Sequence, residues 1–591
     1  MSDTIPRRFL EQARLRPNAP AYAEKVAGQW KQSNWADYTG QVKQAARALL
    51  ALGLSESTGG VAIIGFNRPE WTILNMASMC VGGAPAGIYT TSSPDELAYI
   101  VDHCGAQLLL IEDLSQWAKV VAAREKMPQL KHVVLMRGVA TPDDPMAMSW
   151  EQFLARGEGA SEADVLAAVE RLREDAMATL IYTSGTTGPP KGVMLSHRNL
   201  AWTARVAQQM TGIAADGCAL SYLPLSHIAE QMFSVHGPAT IGYAVYFAES
   251  IDKVADNLKE VRPFVFFGVP RIWEKMFATI SQRLSEATGA KRAISLWARK
   301  VGAQASSLRN EGRPVPPLLA LQYRLANRLV FTKLRAAIGL DRALVSVSGA
   351  APIGREVLEL LASLDLVVHE VYGQSEGCGP STFNMPGATR IGTVGKAIPG
   401  AEVRIADDGE ILVRGPNIFL GYYKEPAATA ETLIDGWLHS GDLGAFDTQG
   451  FLSITGRKKE ILITSGGKNI APKNLEEAFK RHPLIGEAVV IGDRRKYLTA
   501  LLTLDPEVAP RWAADHGITG DLVSSEAIRR ELAAHMEVVN AEVSRVEGIK
   551  KYTLLPRPFS IPDGELTPTL KVKRRVVNTN WATEIEAMYA E

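Results

Sequence analysis

Cysteine is scarce in this 591-residue chain: Cys80, Cys104, Cys218 and Cys378 are all it has, far apart, with no C-x-x-C pair and no histidine cluster. A disulfide framework and a structural zinc site are thereby excluded, and a reducing, cytoplasmic setting is expected. Long apolar runs are missing too. No stretch reaches the ~18 uninterrupted apolar residues of a spanning helix, and Arg7-Arg8 is not followed by the apolar segment of a secretory leader. Nor is there an excess of charge of either sign, because 64 Lys and Arg balance 64 Asp and Glu. With no global field to draw in a polyanion, nucleic acid is not an expected partner, and any phosphate-bearing ligand has to be met by a local site. Repeats and low-complexity tracts are absent as well.

What remains is ordinary globular material, 46% apolar and 22% charged, over a length of about four ~150-residue domain units. Short β-rich runs at 59–66, 84–90, 106–112 and 131–137 alternate with helix-length stretches, and the alternation resumes at 177–183, 218–223, 263–268, 342–348 and 366–372. That rhythm predicts an α/β fold built on parallel sheets. Ser93 as N-cap, Pro94 at the first helical position and Glu96 three residues after the cap predict a helix entered through a capping box. From about 392 the pattern changes to Gly-punctuated hairpins with turns at Asp408-Gly409 and near 447–450, so a small β-rich subdomain is expected over 392–456. Strand, helix and strand signals return after Arg457. The expected organisation is a large N-terminal domain, 1–456, followed by a smaller α+β domain, 457–591.

The sharpest chemical signal is Tyr182-Thr183-Ser184-Gly185-Thr186-Thr187-Gly188-Pro189-Pro190-Lys191-Gly192, set between the apolar runs MATLI and VML. Hydroxyl residues interleaved with glycines let backbone N–H and side-chain O–H donors converge on phosphate oxygens, and Lys191 adds a positive charge. A Walker A loop is excluded, because Gly rather than Ser or Thr follows Lys191 and the glycine spacing differs.

This run resembles the signature loop of the adenylate-forming superfamily, which includes acyl-CoA synthetases, peptide-synthetase adenylation domains and luciferases. Further motifs follow in the family's order over nearly the whole chain. The resemblance implies that Thr183 to Gly188 and Lys191 wrap the β- and γ-phosphates of ATP. Tyr372-Gly373-Gln374-Ser375-Glu376 is similar to the family's Tyr-Gly-x-Thr-Glu, with Ser in place of Thr. By that likeness Tyr372 stacks on adenine, Ser375 contacts the α-phosphate and Glu376 helps hold Mg²⁺, a hard cation that shares oxygen ligands with phosphates. Ser348-Gly349-Ala350-Ala351-Pro352 resembles the lining of the adenine pocket. Asp442, in Trp437-Leu438-His439-Ser440-Gly441-Asp442, matches the ribose clamp. Arg457 and Lys459 match the hinge on which a mobile C-terminal domain swings, and Gly466 and Gly467 the loop that closes over the pantetheine arm of CoA. Lys571 aligns with the catalytic lysine, although Leu570 stands where the family has Gly; Lys573 is the neighbouring alternative.

The same stretch spells Gly373-x-Ser375-x-Gly377, the pattern of a hydrolase nucleophile elbow. That elbow must open a helix, and Cys378-Gly379-Pro380 starts one poorly. Tyr222 to Glu230 and Gly268 to Met276 resemble long-chain acyl-CoA synthetases, including the bubblegum type, with His227 at the mouth of the acyl pocket. The resemblance therefore implies activation of a long-chain fatty acid with ATP and transfer to CoA. Alternatives are a fatty-acyl-AMP ligase or a medium-chain or aryl acid CoA ligase, and more distantly a serine hydrolase using Ser375. Residues 232–247 have the composition of a tunnel lining. The helical segment 318–338 sets Arg324, Arg328 and Arg335 in one arc beside Leu321 and Leu325, a face suited to peripheral membrane contact.

Overall fold

The computed structural model describes residues 2–55, 60–183, 189–465, 468–545, 547–567 and 570–590. Two large sheets organise the N-terminal domain. In the first, Met177–Thr183, Ala86–Ile88, Gly60–Ile64, Ala106–Ile111, His132–Leu135 and Ala147–Ser149 lie side by side and parallel. Lys191–Ser196 and Gly421–Tyr422 extend it antiparallel at one edge. In the second, Val368–Gln374, Val345–Ser348, Val265–Gly268, Cys218–Ser221, Ala244–Phe247 and Pro20–Val26 run parallel. The expected α/β rhythm is thus present, but the chain divides it between two sheets rather than one series. Met177–Thr183 closes the first sheet, and the later strands build the second together with Pro20–Val26, a strand that composition did not signal.

Side-chain alternation explains how the sheets stack. Val61 and Ile63 point into the cluster shared with Tyr22, Ala219, Val245 and Val265 of the second sheet, while Ala62 and Ile64 pack on the opposite face with Leu109 and Val133. Helix Pro69–Cys80 lies in the shared core with all twelve of its residues buried, the polar Glu70, Thr72, Asn75 and Ser78 included. Helix Pro94–His103 begins as expected. Ser93 Oγ accepts from Glu96 N at 3.1 Å and Glu96 Oε2 accepts from Ser93 N at 3.2 Å.

The hairpins expected after 392 form a five-stranded antiparallel unit. Glu402–Ile405 pairs with Glu410–Arg414 across Gly409 (φ +85°), and Trp437–Phe446 with Leu452–Arg457 across Gly450 (φ +81°). The smaller C-terminal domain carries a three-stranded sheet, Ile485–Ile491, Leu498–Leu504 and Ile549–Leu554, packed against helices Pro472–Lys480 and Glu526–Ala541. It rests on the large domain through charged contacts. Arg271 Nη2 donates to Asp505 Oδ2 at 2.6 Å, Lys573 Nζ lies 3.7 Å from Glu96 Oε1, and Lys275 Nζ lies 3.8 Å from Glu507 Oε2.

Candidate active site

The hydroxyl- and glycine-rich run joins Met177–Thr183 to Lys191–Ser196, and the last residue pair of that antiparallel ladder is Thr183 with Lys191. Ser184, Gly185, Thr186, Thr187 and Gly188 lie outside the described residues, as do Gly466 and Gly467. Lys191 is placed by Tyr422, whose ring centroid is 4.9 Å from Nζ, and by Glu425, whose Oε2 is 4.0 Å away. Beneath it Tyr182 is buried, and its hydroxyl lies 2.8 Å from His103 Nδ1. The Tyr422 hydroxyl also donates to Glu376 Oε1 at 2.8 Å. One aromatic side chain therefore ties Lys191, the candidate phosphate-binding lysine, to Glu376, the candidate metal-holding carboxylate. Sequence reading assigned nothing to Tyr422, which no motif announces.

Strand Val345–Ser348 delivers Gly349, Ala350 and Ala351 at its C-terminal end. A Cβ at Gly349 would lie 2.6 Å from Val371 Cγ1, so a side chain there would force Val371 to shift, and Ala350 holds a left-handed φ of +70°. Next in the sheet, Val368–Gln374 brings Tyr372, Gly373 and Gln374. The chain then makes a single 3₁₀ turn, Ser375–Gly377, passes Cys378 at φ +55°, and returns antiparallel as Gly379–Phe383. A Cβ on Gly373 would lie 1.7 Å from Gly379 O, so this hairpin closes only with glycine. Strand–turn–strand geometry also disposes of the hydrolase reading, since a nucleophile elbow leads into a helix.

Asp442 comes from the β-rich unit and meets Tyr372 from the second sheet. The Tyr372 hydroxyl donates to Asp442 Oδ2 at 2.9 Å, and Arg457, its cross-strand partner, places Nε 3.4 Å from Oδ1. Burial holds the Asp442 carboxyl above its ordinary range, against the pull of Arg457, the Tyr372 hydroxyl and Lys571. Lys571 arrives from the C-terminal domain. It is open to solvent, yet protein surrounds it closely enough that desolvation, then Arg457 and Lys473, lower its ammonium pKa, opposed by Asp442 and Glu460. Four residues from three structural units thus converge: Tyr372, Asp442, Arg457 and Lys571. Lys573 instead faces Glu96. Lys459 is exposed and lies in the turn Lys458–Glu460, next to Lys458, whose Nζ is 2.6 Å from Asp408 Oδ2.

His227 caps a short helix, Ile228–Gln231, with Nδ1 accepting from Ala229 N at 3.1 Å. Its proton is therefore assigned to Nε2. Burial, and after it the charge of Lys571, pushes the ring down to about 4, so His227 is neutral at pH 7 and offers a hydrogen-bond donor rather than a charge. Behind it lies a group that the motifs contain but did not single out. Glu230, 3% exposed, accepts from Ser221 Oγ at 2.6 Å and Ser234 Oγ at 2.5 Å, and burial raises its carboxyl to about 7.

Within 232–247 the structure shows core packing. Val235, Ala239, Val245 and Phe247 are core, and the cavity they share with Phe9, Tyr22 and Trp35 is ≈ 10 Å³, room for about one water. Their small side chains serve close packing around a π-helical turn, Met232–His236.

Among the described residues no group of three or more His, Cys, Asp or Glu side chains is placed to hold a metal ion. Glu376 is a single carboxylate with one oxygen engaged by Tyr422. That donor set fits a hard cation drawing most of its oxygen ligands from a nucleotide's phosphates.

Comparison with known proteins gives this arrangement its context. Residues 9–423 match the AMP-binding enzyme family model, and 459–591 match the AMP-binding enzyme C-terminal domain. The long-chain-fatty-acid–CoA ligase ACSBG2 of Xenopus laevis is 37% identical, covering 100% of this chain and 84% of its own. FadD15 of Mycobacterium tuberculosis, also named a long-chain-fatty-acid–CoA ligase, is 36% identical over 99% and 97%. Among solved structures, the A-PCP didomain of carboxylic acid reductase from Segniliparus rugosus in complex with AMP superposes with a TM-score of 0.75 at 20% identity, covering 100% of this chain and 82% of that one. O-succinylbenzoate CoA synthetase (MenE) from Bacillus subtilis, in complex with ATP and magnesium, gives 0.69 at 21% identity, covering 96% and 98%. Matched by family models along almost its whole length, the chain belongs to the AMP-binding enzyme family.

Proposed function

We propose that this protein is a long-chain fatty acid–CoA ligase that consumes ATP and releases AMP and pyrophosphate. The observation that carries the reading is the convergence of Tyr372, Asp442, Arg457 and Lys571 on the strand that leads into the turn holding Glu376. The acyl class rests on the relatives' names.

A carboxylate is a poor acyl donor because its leaving group would be oxide or hydroxide. In the first half-reaction a carboxylate oxygen attacks the α-phosphorus of ATP and pyrophosphate departs, so positioning and charge neutralisation do the catalytic work. Lys571 neutralises the carboxylate and the α-phosphate. Tyr372 stacks on adenine with Gly349, Ala350, Ala351, Gly373 and Gln374 around it, Asp442 accepts from the ribose hydroxyls, and Arg457 holds Asp442 in place. Ser375 donates to the α-phosphate. Thr183, Lys191 and the run between them hold the departing phosphates. Glu376 would hold Mg²⁺, which supplies charge neutralisation at the phosphates. His227 donates from Nε2 at the mouth of the acyl site. In the second half-reaction the CoA sulfur attacks the acyl carbon, the acyl–phosphate bond breaks and AMP leaves. About a few per cent of a free thiol is thiolate at neutral pH, and this strongly nucleophilic form attacks, its proton having passed to solvent.

Lys571 has to withdraw for the thiol to enter, so the unit 457–591 swings on a hinge at Arg457 to Lys459, and Gly466 and Gly467 keep the pantetheine-binding role that the family likeness implies. A cytoplasmic setting is supported by all four cysteines being unpaired. No helix among the described residues is long and apolar enough to cross a membrane.

The test separates the two halves. In Lys571→Ala, ATP–pyrophosphate exchange with a fatty acid is expected to fall about 10²–10³-fold, while thioester formation from supplied acyl-adenylate stays near native. Normal exchange in that variant would end the assignment. Acid-, ATP- and CoA-dependent AMP release across a chain-length series checks the substrate class.

A further inference from the structure

One region departs from the balanced charge of the chain. Residues 287–340 hold ten Lys and Arg and a single acid, Glu311, in a protein whose 64 basic and 64 acidic residues cancel only when the whole chain is counted. They form helix Gly289–Asn310 and, against it, a continuous helical stretch from Pro317 to Ile338 that contains one π-helical turn, Asn327–Phe331. The second stretch is apolar on two sides. Leu319, Tyr323, Ala326 and Phe331 pack on Ala298 and Val301 of the first helix. Away from that contact Leu318, Leu321, Leu325 and Leu329 recur along the helix at 71, 64, 50 and 40% exposure. With Ile294 and Leu296 they make six of the nineteen large exposed apolar side chains among the described residues.

The charges divide in the same way. Arg309 and Arg335 are turned inward onto Asp365, and Arg335 also donates to Asn327 Oδ1. Arg335 therefore leaves the arc expected for it, because the π-helical turn inserts backbone rotation ahead of it. Arg324, Arg328 and Lys333 stay exposed with no ion-pair partner among the described residues, as do Lys291, Arg292 and Lys300. We propose that this leucine ridge with its fringe of unpaired cations is the face by which the protein docks on an anionic lipid bilayer, leucines entering the interface and cations meeting headgroup phosphates. Charge complementarity selects the occupant: an apolar ridge alone would suit many partners, but one with the unpaired cations Arg324, Arg328 and Lys333 along it suits an interface that is oily within and anionic at its rim. The inference stands on the surface and not on the acyl substrate, so it can fail without touching the proposed activity.

Flotation with vesicles, without ATP, acid or CoA, tests it. The native protein is expected to rise with phosphatidylglycerol–phosphatidylcholine vesicles and to stay down with pure phosphatidylcholine. Arg324→Glu/Arg328→Glu is expected to weaken binding by about tenfold or more, and Leu321→Ser/Leu325→Ser to abolish retention in raised salt, where the cations are screened. All four side chains are exposed, so both variants should keep native circular dichroism and native pyrophosphate exchange with a short soluble acid. Equal flotation with neutral vesicles, undiminished binding by either variant, or retention by an acidic polypeptide column without any flotation would overturn the proposal.

Discussion

Tyr372 and Lys571 face the same spot from supports of opposite kind. Tyr372 lies near the end of an inner strand of the second sheet, its hydroxyl fixed on Asp442 and its hairpin sealed by Gly373. Lys571 stands on a surface turn in which Thr567 N donates to Lys571 O at 2.8 Å, Lys571 N donates to Thr567 Oγ1 at 3.0 Å, and Leu570 is left-handed at φ +61°. The first support is continuous with a core; the second is local and attached through charged contacts. The proposed two-step reaction calls for that asymmetry, since in it the nucleotide pocket serves both halves and the lysine only one.

The sharpest way to break the comparison is to damage the fixed side. Gly373→Ala sets a Cβ against Gly379 O, backbone on backbone, where no rotamer change gives relief. A cost of ~3 kcal/mol or more is expected, with both pyrophosphate exchange and thioesterification of supplied acyl-adenylate collapsing together. Loss of exchange alone would mean that the pocket is not shared.

The fixed side also carries a buried charge cost that pH should expose. Glu230 rises from 4.5 to about 7 by burial among Ser221 and Ser234. Between those values the folded protein holds a proton that the unfolded chain releases, so this contribution to stability is whole below pH 4.5 and is lost as pH rises through 7. Against Glu230→Gln, which cannot titrate, the native protein should lose about 3 kcal/mol across that window, read from denaturant midpoints of the large domain. A pH-independent difference would place Glu230 in an ordinary solvated setting.

On the detachable side the effects should be smaller and confined to one half-reaction. Arg271→Ala removes the 2.6 Å contact to Asp505, whose carboxylate is 3% exposed but still accepts from the backbone N–H groups of Glu507 and Val508 at 2.9 Å. Because Arg271 itself is 57% exposed, about 1 kcal/mol of docking, a roughly fivefold drop in exchange, is expected. Thioesterification should be unchanged. An equal fall in both would show that the contact supports the fold and not the docked state.

What could be read from the chain divides along the same line. Local grammar was legible: the Ser93 capping box, the Asp408-Gly409 hairpin and the strand runs are each decided by neighbours within a few residues. The partition into two sheets was not, because pairing of Met177–Thr183 with Ala86–Ile88 depends on crossovers that leave no periodic mark. At the site, glycines and hydroxyls in fixed order pointed to phosphate. Tyr422 and Glu230 act through position alone, and a tyrosine or a glutamate in an apolar stretch looks the same whether or not it meets a partner. The run 232–247 is ambiguous for a related reason: small apolar residues suit a tunnel wall and tight packing alike, and the structure shows Val235, Ala239, Val245 and Phe247 packed. Arg335 failed because a π-helical turn breaks the period on which the expected arc depended.

The smallest expected effect lies at Leu570, and it bears most directly on how the detachable side is tuned. An L-residue in the left-handed region pays roughly 1–2 kcal/mol of steric strain, and Leu570 has no compensating burial, being 64% exposed. Glycine would release that strain but would also free the unfolded turn, which offsets part of the gain. Leu570→Gly should therefore stabilise the C-terminal domain by no more than about 1 kcal/mol. If the strain holds Lys571 in its forward pose, the variant's KM for fatty acid in pyrophosphate exchange should rise slightly while thioesterification is untouched; if the turn is held by Thr567 alone, KM stays native and only the melting temperature rises. Leu570→Val, β-branched and poorer still at positive φ, should move stability in the opposite direction. A melting temperature that ignores both substitutions would mean that the left-handed residue is relaxed in solution, and that the lysine's support is looser than its hydrogen bonds to Thr567 suggest.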